Sequence, residues 1–104
     1  MNVEIIKKEI VEKLRPLNPE KIILFGSYVY GTPNKDSDLD ICIVEKDYKN
    51  KYEEKLEIRN LLSGINMPID ILNPKVDEYE FYKNEINSVY YDADKKGKIL
   101  WQNS

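Results

Sequence analysis

The stretch LFGSYVYGTPNKDSDLDICIV, residues 24–44, contains the pattern that decides the fold. One apolar run ends at Gly26 and Ser27, and a second apolar run begins at Asp38 and Asp40. Because the side chains of a strand alternate between its two faces, Asp38 and Asp40 are predicted to point the same way, opposite to the leucine and isoleucines beside them. The pattern therefore predicts a core strand that carries two carboxylates shortly after a tight Gly-Ser turn.

The length and composition are typical of one small globular domain. The 104 residues fit a single domain over 1–104, and 41% hydrophobic with 34% charged residues argues against disorder. No apolar run is long enough to cross a bilayer, and the charged N-terminus lacks the apolar block of a signal peptide. We therefore expect a cytoplasmic protein with no membrane partner.

The residue types exclude several kinds of chemistry. The chain has one cysteine, Cys42, and no histidine, which rules out an internal disulfide, a Cys/His zinc site and a Ser-His or Cys-His nucleophile. A metal would need oxygen ligands, as Mg²⁺ and Mn²⁺ prefer. The net charge of −3 gives no reason to expect direct nucleic-acid binding.

Apolar periodicity and chain breakers predict the remaining elements. Helices are predicted over 2–15, 47–63 and 75–88, with a further helical turn over 89–95. Strands are predicted over 21–25, 38–44, 67–72 and 98–101. The helix over 47–63 is expected to bury Tyr52, Leu56, Leu61 and Leu62, and the helix over 75–88 to carry one stripe of Tyr79, Tyr82 and Ile86. A helix followed by strands alternating with helices predicts one α/β or α+β domain with a small sheet.

A third carboxylate, Asp70, interrupts the apolar strand over 67–72. An ionised carboxylate on a buried strand is costly unless it is paired or binds a metal, and both arginines of the chain lie on predicted helices. Asp38, Asp40 and Asp70 together could hold one or two Mg²⁺ ions that clamp substrate phosphates.

The Gly-Ser turn would complement such a metal site. Gly26 allows a sharp turn and a close approach of the backbone to a ligand. The free N–H groups at the start of the next helix favour an anion, and the Ser27 hydroxyl can add a hydrogen bond. A metal on one side and amides on the other would suit a nucleoside triphosphate.

Each residue also has a purely structural interpretation. Asp38 could cap a turn, Asp70 could be a charge that protects an edge strand from aggregation, and Ser27 could be a helix N-cap. Asp40, inside an apolar run, fits such interpretations poorly. The joint arrangement favours the metal and nucleotide hypothesis.

Gly26-Ser27, followed after ten residues by Asp38-Leu39-Asp40, resembles the GS-x10-DxD motif of the nucleotidyltransferase superfamily that includes DNA polymerase β. With Asp70 as a third carboxylate, the short chain looks like a minimal nucleotidyltransferase (MNT). The resemblance implies a small mixed β-sheet flanked by helices. It also implies transfer of a nucleotidyl group, usually from ATP, to a hydroxyl, with release of pyrophosphate.

The resemblance also implies roles for the five motif residues. Asp38 and Asp40 would bind one or two Mg²⁺ ions, which Mn²⁺ could replace. Asp70 would share a metal and help to deprotonate the attacking hydroxyl. Gly26 and Ser27 would hold the triphosphate of ATP.

Many minimal nucleotidyltransferases act as antitoxins beside a HEPN-domain protein, so the resemblance implies a HEPN partner. The family function would be that of a type VII antitoxin, which transfers AMP from ATP to a tyrosine of a HEPN ribonuclease toxin. Two alternatives stay open: a non-catalytic module that neutralises its partner by binding, and a transferase for a small molecule such as an aminoglycoside. Tyr28 stands where many relatives have arginine, and Lys35 could replace that missing cation.

Overall fold

The structure, a computed structural model, describes residues 3–30 and 38–103. Lys35, which could supply the missing cation, lies outside the described residues. In chain order the described elements are α1 (Val3–Leu14), a 3-10 turn (Arg15–Leu17), β1 (Lys21–Phe25), α2 (Ser27–Tyr30), β2 (Leu39–Val44), α3 (Lys51–Leu61), β3 (Ile69–Leu72), α4 (Val76–Tyr82), α5 (Val89–Lys96) and β4 (Lys98–Gln102).

The four strands form one mixed sheet in the order β3-β2-β1-β4. Strand β1 runs antiparallel to both β2 and β4, whereas β2 and β3 are parallel. Strand β3 is therefore an edge strand of this sheet, and it begins directly after Pro68, as the missing N–H of proline favours. The predicted fold class, a small mixed sheet flanked by helices, is confirmed.

One face of the sheet packs against α1 and α3. The helix positions Ile10, Leu14 and Ile58 are fully buried there, against alternate residues of β1, β2 and β3 such as Leu24 and Ile41. The spacing of the apolar residues in α1 places them on one side of the helix, as the sequence predicted. This face carries the larger of the two cores.

The other face of the sheet packs against α4 and α5. A smaller core there joins Cys42 and Val44 of β2 to Tyr79 of α4 and Ala93 of α5. The buried Tyr79 hydroxyl donates a hydrogen bond of 2.7 Å to Asp94. Since side chains two apart on a strand share a face, this is also the face on which residue 40 of β2 lies.

The predicted helix over 47–63 is shorter at its start and buries different residues. Helix α3 begins at Lys51 because the Asn50 side chain accepts a hydrogen bond of 3.0 Å from the Glu53 N–H and so caps the helix. Tyr52 is 66% exposed and Leu56 is 50% exposed, so both were wrongly assigned to the apolar face. The buried positions of this segment are Ile58 and Leu62.

The predicted helix over 75–88 is also too long. Helix α4 ends at Tyr82, and a new helix, α5, begins where Ser88 accepts a hydrogen bond of 3.0 Å from the Tyr90 N–H. Of the predicted stripe, Tyr79 is buried, whereas Tyr82 is 44% exposed and Ile86 is 75% exposed. Turns over 83–88 separate α4 from α5, so a single helical periodicity does not apply across 75–88.

The longest helix in the described ranges, α1, has 12 residues. None of the described helices combines the length and the apolar composition needed to cross a membrane.

Candidate active site

Two of the three predicted aspartates are direct neighbours in the sheet. Asp40 of β2 and Asp70 of β3 stand opposite each other in the parallel register, and their carboxyl groups share a hydrogen bond. Burial raises the pKa of Asp40, and the nearby negative charges of Asp70 and Asp38 raise it further. A positive charge between the carboxyl groups of Asp40 and Asp70, such as a proton or a metal ion, would therefore stabilise the pair.

The pair lies where helices leave the sheet face uncovered. Cys42 and Val44 lie on the same face of β2 as Asp40 and are buried under α4 and α5. Asp40 itself is half-buried, and Asp70 is exposed on the edge strand. The carboxyl groups are thus anchored on rigid strands and open to a ligand from solvent.

The Gly-Ser turn adjoins this pair. Phe25, the last residue of β1, pairs with Asp40, so Gly26 follows directly beside the carboxylate. Gly26 has a φ of +81°, and a Cβ at this position would collide with Oδ2 of Asp40. Ser27 begins α2, whose first turn is closed by a hydrogen bond of 3.0 Å from the Val29 N–H to the Gly26 carbonyl. Both the backbone angle and the close approach require glycine here.

The third predicted aspartate lies one residue before β2. Asp38 is half-buried, and its charge acts on Asp40. The structure thus brings Asp40 and Asp70 into contact and places Asp38 in electrostatic range of Asp40. Within residues 3–30 and 38–103, no three acidic or cysteine side chains already stand in the arrangement of metal ligands.

The chemistry of these donors fits a hard cation such as Mg²⁺. Carboxylate oxygens are its preferred ligands, and the raised pKa of Asp40 beside Asp70 marks a place where a positive charge would be stabilising. The arginines make other contacts. The Arg15 guanidinium lies 5.1 Å from the centre of the Trp101 ring, and Arg59 donates a hydrogen bond of 3.4 Å to the Ile69 carbonyl. No salt bridge neutralises the pair within the part of the chain that the structure describes.

The family model described as nucleotidyltransferase domain matches residues 3–100. The chain belongs to the nucleotidyltransferase domain family. The predicted family and enzyme class are thereby confirmed, and the chain is a nucleotidyltransferase.

Two similar proteins come from Methanocaldococcus jannaschii, and both are named as candidate protein adenylyltransferases. MJ0604 is 34% identical over 106 residues, which cover 97% of this chain and all of the relative. MJ0141 is 30% identical over 92 residues, which cover 86% of this chain and 88% of the relative. This chain therefore has the size of these relatives and matches them over nearly their whole length.

Solved structures of toxin–antitoxin complexes share the fold. A toxin–antitoxin structure with AMP-PNP matches with a TM-score of 0.67 and 24% identity over 94% of this chain and 74% of the other. A complex of the tri-AMPylated Shewanella oneidensis HEPN toxin with its MNT antitoxin matches with a TM-score of 0.63 and 21% identity, covering 96% of this chain and 72% of the other. At these identities the likeness establishes the common fold.

The sequence hypothesis did not include two features of the molecule. Tyr28 packs its partly buried ring against the larger core. At the far end of β2, Glu45 is buried and its carboxyl group pairs with that of Glu54. A signal for Glu45 was present in the sequence, because a glutamate directly continues the apolar run over 41–44.

Proposed function

We propose that this chain transfers AMP from ATP to a tyrosine hydroxyl of a HEPN-domain toxin and so acts as its antitoxin. The observation that carries the proposal is the carboxyl pair of Asp40 and Asp70 beside Gly26. The raised pKa of Asp40 means that this pair favours a compensating cation, and a nucleotidyl transfer needs a cation at the triphosphate. The names of the M. jannaschii relatives support a protein acceptor, and those of the toxin–antitoxin neighbours support a HEPN partner.

Asp38, Asp40 and Asp70 would hold one or two Mg²⁺ ions. When bound, the metal would offset the charge of the triphosphate and stabilise the entering and leaving oxygens. The strands keep Asp40 and Asp70 in place before substrate arrives, so little ordering is needed on binding. Gly26 and Ser27 would hold the phosphates through the N–H groups of their turn and the Ser27 hydroxyl.

In the proposed reaction, the oxygen of the acceptor hydroxyl attacks the α-phosphorus of ATP. The α-phosphorus loses its bond to the oxygen that bridges it to the β-phosphate. Pyrophosphate leaves with the electron pair of that bond. The proton of the hydroxyl passes to the carboxylate of Asp70, the most exposed member of the site. The products are the AMP ester of the acceptor and pyrophosphate.

The experiment is a transfer assay with α-labelled ATP, Mg²⁺ and a HEPN-domain toxin as the acceptor. We expect label on the HEPN protein, with mass spectrometry placing AMP on a tyrosine. We expect no label when EDTA replaces Mg²⁺ or when Asp38→Asn and Asp40→Asn are combined. The matched control is Asp77→Asn, because Asp77 is an exposed aspartate in the first turn of α4 and lies outside the site.

Two results would overturn the proposal. If the double variant neutralises the toxin as well as the natural chain does, and no label is transferred, the chain is a binding module. The packing of Tyr28 in place of an arginine is the observation that favours this alternative, because it removes a cation from the nucleotide site. If label passes to a small hydroxylated molecule such as an aminoglycoside and never to protein, the acceptor class is wrong.

A further inference from the structure

A cavity lies at the end of β2 that is remote from Asp40. It has a volume of about 540 Å³, and its walls come from the 3-10 turn, the end of β2 and the first turns of α3. Its lining includes the apolar Leu17 and the acidic Glu45, Glu53, Glu54 and Glu57. Asp47 and Lys49 also line it, but Asp47 is paired with Lys75 at 3.0 Å. The cavity is therefore negatively charged and large enough for a small organic molecule.

Glu45 is the buried acid of this cavity. Only 4% of its surface is exposed, and its Oε1 atom is buried with no hydrogen-bond partner among the described residues. A buried polar atom without a partner is rare in folded proteins and destabilises the folded state. Such an atom on the wall of a cavity marks a place for a hydrogen-bond donor from outside the chain.

The neighbour of Glu45 is a second carboxyl group. Glu54 shares a hydrogen bond with Glu45, so the pair holds a proton where two acids would otherwise repel each other. Burial and this neighbour raise the pKa of Glu45 to about 8. A ligand with a positive charge and N–H donors could replace that proton and also satisfy Oε1.

We propose that this cavity binds an organic cation with N–H donors, an ammonium or guanidinium group, between Glu45 and Glu54. Charge-assisted hydrogen bonds of this kind are the strong ones in proteins. A metal ion fits less well, because no three acidic side chains in the described parts of the chain are arranged as metal ligands. The apolar surface of Leu17 suits the methylene chain that carries such a group.

The ammonium or guanidinium group could belong to a free polyamine or to a basic side chain of a bound protein. Calorimetry can distinguish these two sources. The probes are spermidine and a short capped peptide with one arginine. We expect at least one probe to bind with a Kd of about 1 mM or tighter near pH 8. We expect binding to release a proton, and the affinity to fall by about tenfold for each pH unit below 8.

Glu45→Gln and Glu54→Gln should each weaken binding by about tenfold or more, since each removes a negative charge from the pair. The matched control is Glu85→Gln, an exposed residue between α4 and α5. Tetramethylammonium, which has the charge but no N–H donors, should bind at least about tenfold more weakly. Binding of neither probe, equal binding by Glu45→Gln, or equal binding of tetramethylammonium would each overturn the proposal. Binding of Mg²⁺ instead, lost in Glu45→Gln, would also overturn it.

Discussion

Strand β2 has a carboxyl pair near each end, and the two pairs differ in how they meet solvent. Asp40 pairs with Asp70 of the edge strand, whereas Glu45, one residue beyond β2, pairs with Glu54 of α3. In both pairs, burial is the main reason for the raised pKa and the partner carboxyl group adds to it. Asp70 is exposed and Glu45 is only 4% exposed. The first pair is therefore open to a nucleotide, and the second is reached only through a cavity.

The two pairs also lie on opposite faces of the sheet. Residues 40 and 45 are an odd number of positions apart, so the alternation of a strand turns their side chains to opposite sides. Asp40 shares its face with α4 and α5, and Glu45 faces the layer of α1 and α3. Like-charge pairing alone therefore does not identify an active site, because the glycine turn and the open edge are found at one pair only within the described residues.

The largest expected effect is that of Asp70→Asn on catalysis. The variant loses the proposed proton acceptor and one metal ligand, so we expect the transfer rate to fall by roughly 10²–10⁴-fold. Because Asp70 is exposed, the free energy of unfolding should change little. The rate is measured with α-labelled ATP and the HEPN partner, and the unfolding by urea titration. Full activity in this variant would remove Asp70 from the site.

The next effect is that of Gly26→Ala on the stability of the folded chain. A left-handed backbone angle and a collision with Asp40 should lower the free energy of unfolding by roughly 2–4 kcal/mol. Gly64→Ala is the matched control, because the nearest atom to its new Cβ would be the flexible Lys13 Nζ at 3.2 Å. Urea titrations of both variants measure the difference. Equal stability of the two variants would contradict the close approach of Gly26 to Asp40.

The strands and the open carboxyl pair could be predicted from the sequence, because their pattern is local. One signal is an apolar, β-branched run that ends at a Gly-Ser turn, and the other is an isolated aspartate within such a run. Both signals can be recognised from a few consecutive residues. The contact of Asp40 with Asp70 followed from placing both on core strands. The mixed sheet came from the family resemblance, because local periodicity does not determine strand order or direction.

The helix boundaries and the buried pair could not be predicted in the same way. The start of α3 depends on the Asn50 cap, and the separation of α4 from α5 depends on the turns that precede the Ser88 cap. The exposure of Leu56 depends on how α3 lies against the sheet. The pairing of Glu45 with Glu54 depends on the path of the chain between β2 and α3, which no short pattern encodes.

A smaller effect is expected for Glu45→Gln, and it depends on pH. The folded chain holds a proton on Glu45 up to about pH 8, whereas the unfolded chain releases it near 4.5, so stability falls as the pH rises between these values. The variant has no such proton, so its stability should exceed that of the natural chain by about 2 kcal/mol near pH 6, and by more at the upper end of this window. At the lower end the two should agree. Urea titrations across the window measure the difference, and a constant difference at all pH values would contradict the raised pKa.

The smallest expected effect concerns Cys42, which lies between the two pairs on β2. Its thiol is fully buried, and burial raises its pKa to about 12, so a thiol reagent should label it only when the chain unfolds.

A ligand that binds only the folded chain slows such labelling, by about tenfold at about ten times its Kd. ATP with Mg²⁺ should act through the Asp40 end and spermidine through the Glu45 end. If the two ends are independent, the two slowing factors multiply, because free energies at separate sites add. A product that departs clearly from this multiplication would mean that β2 couples the two carboxyl pairs. Rapid labelling of the native chain would contradict the burial of Cys42.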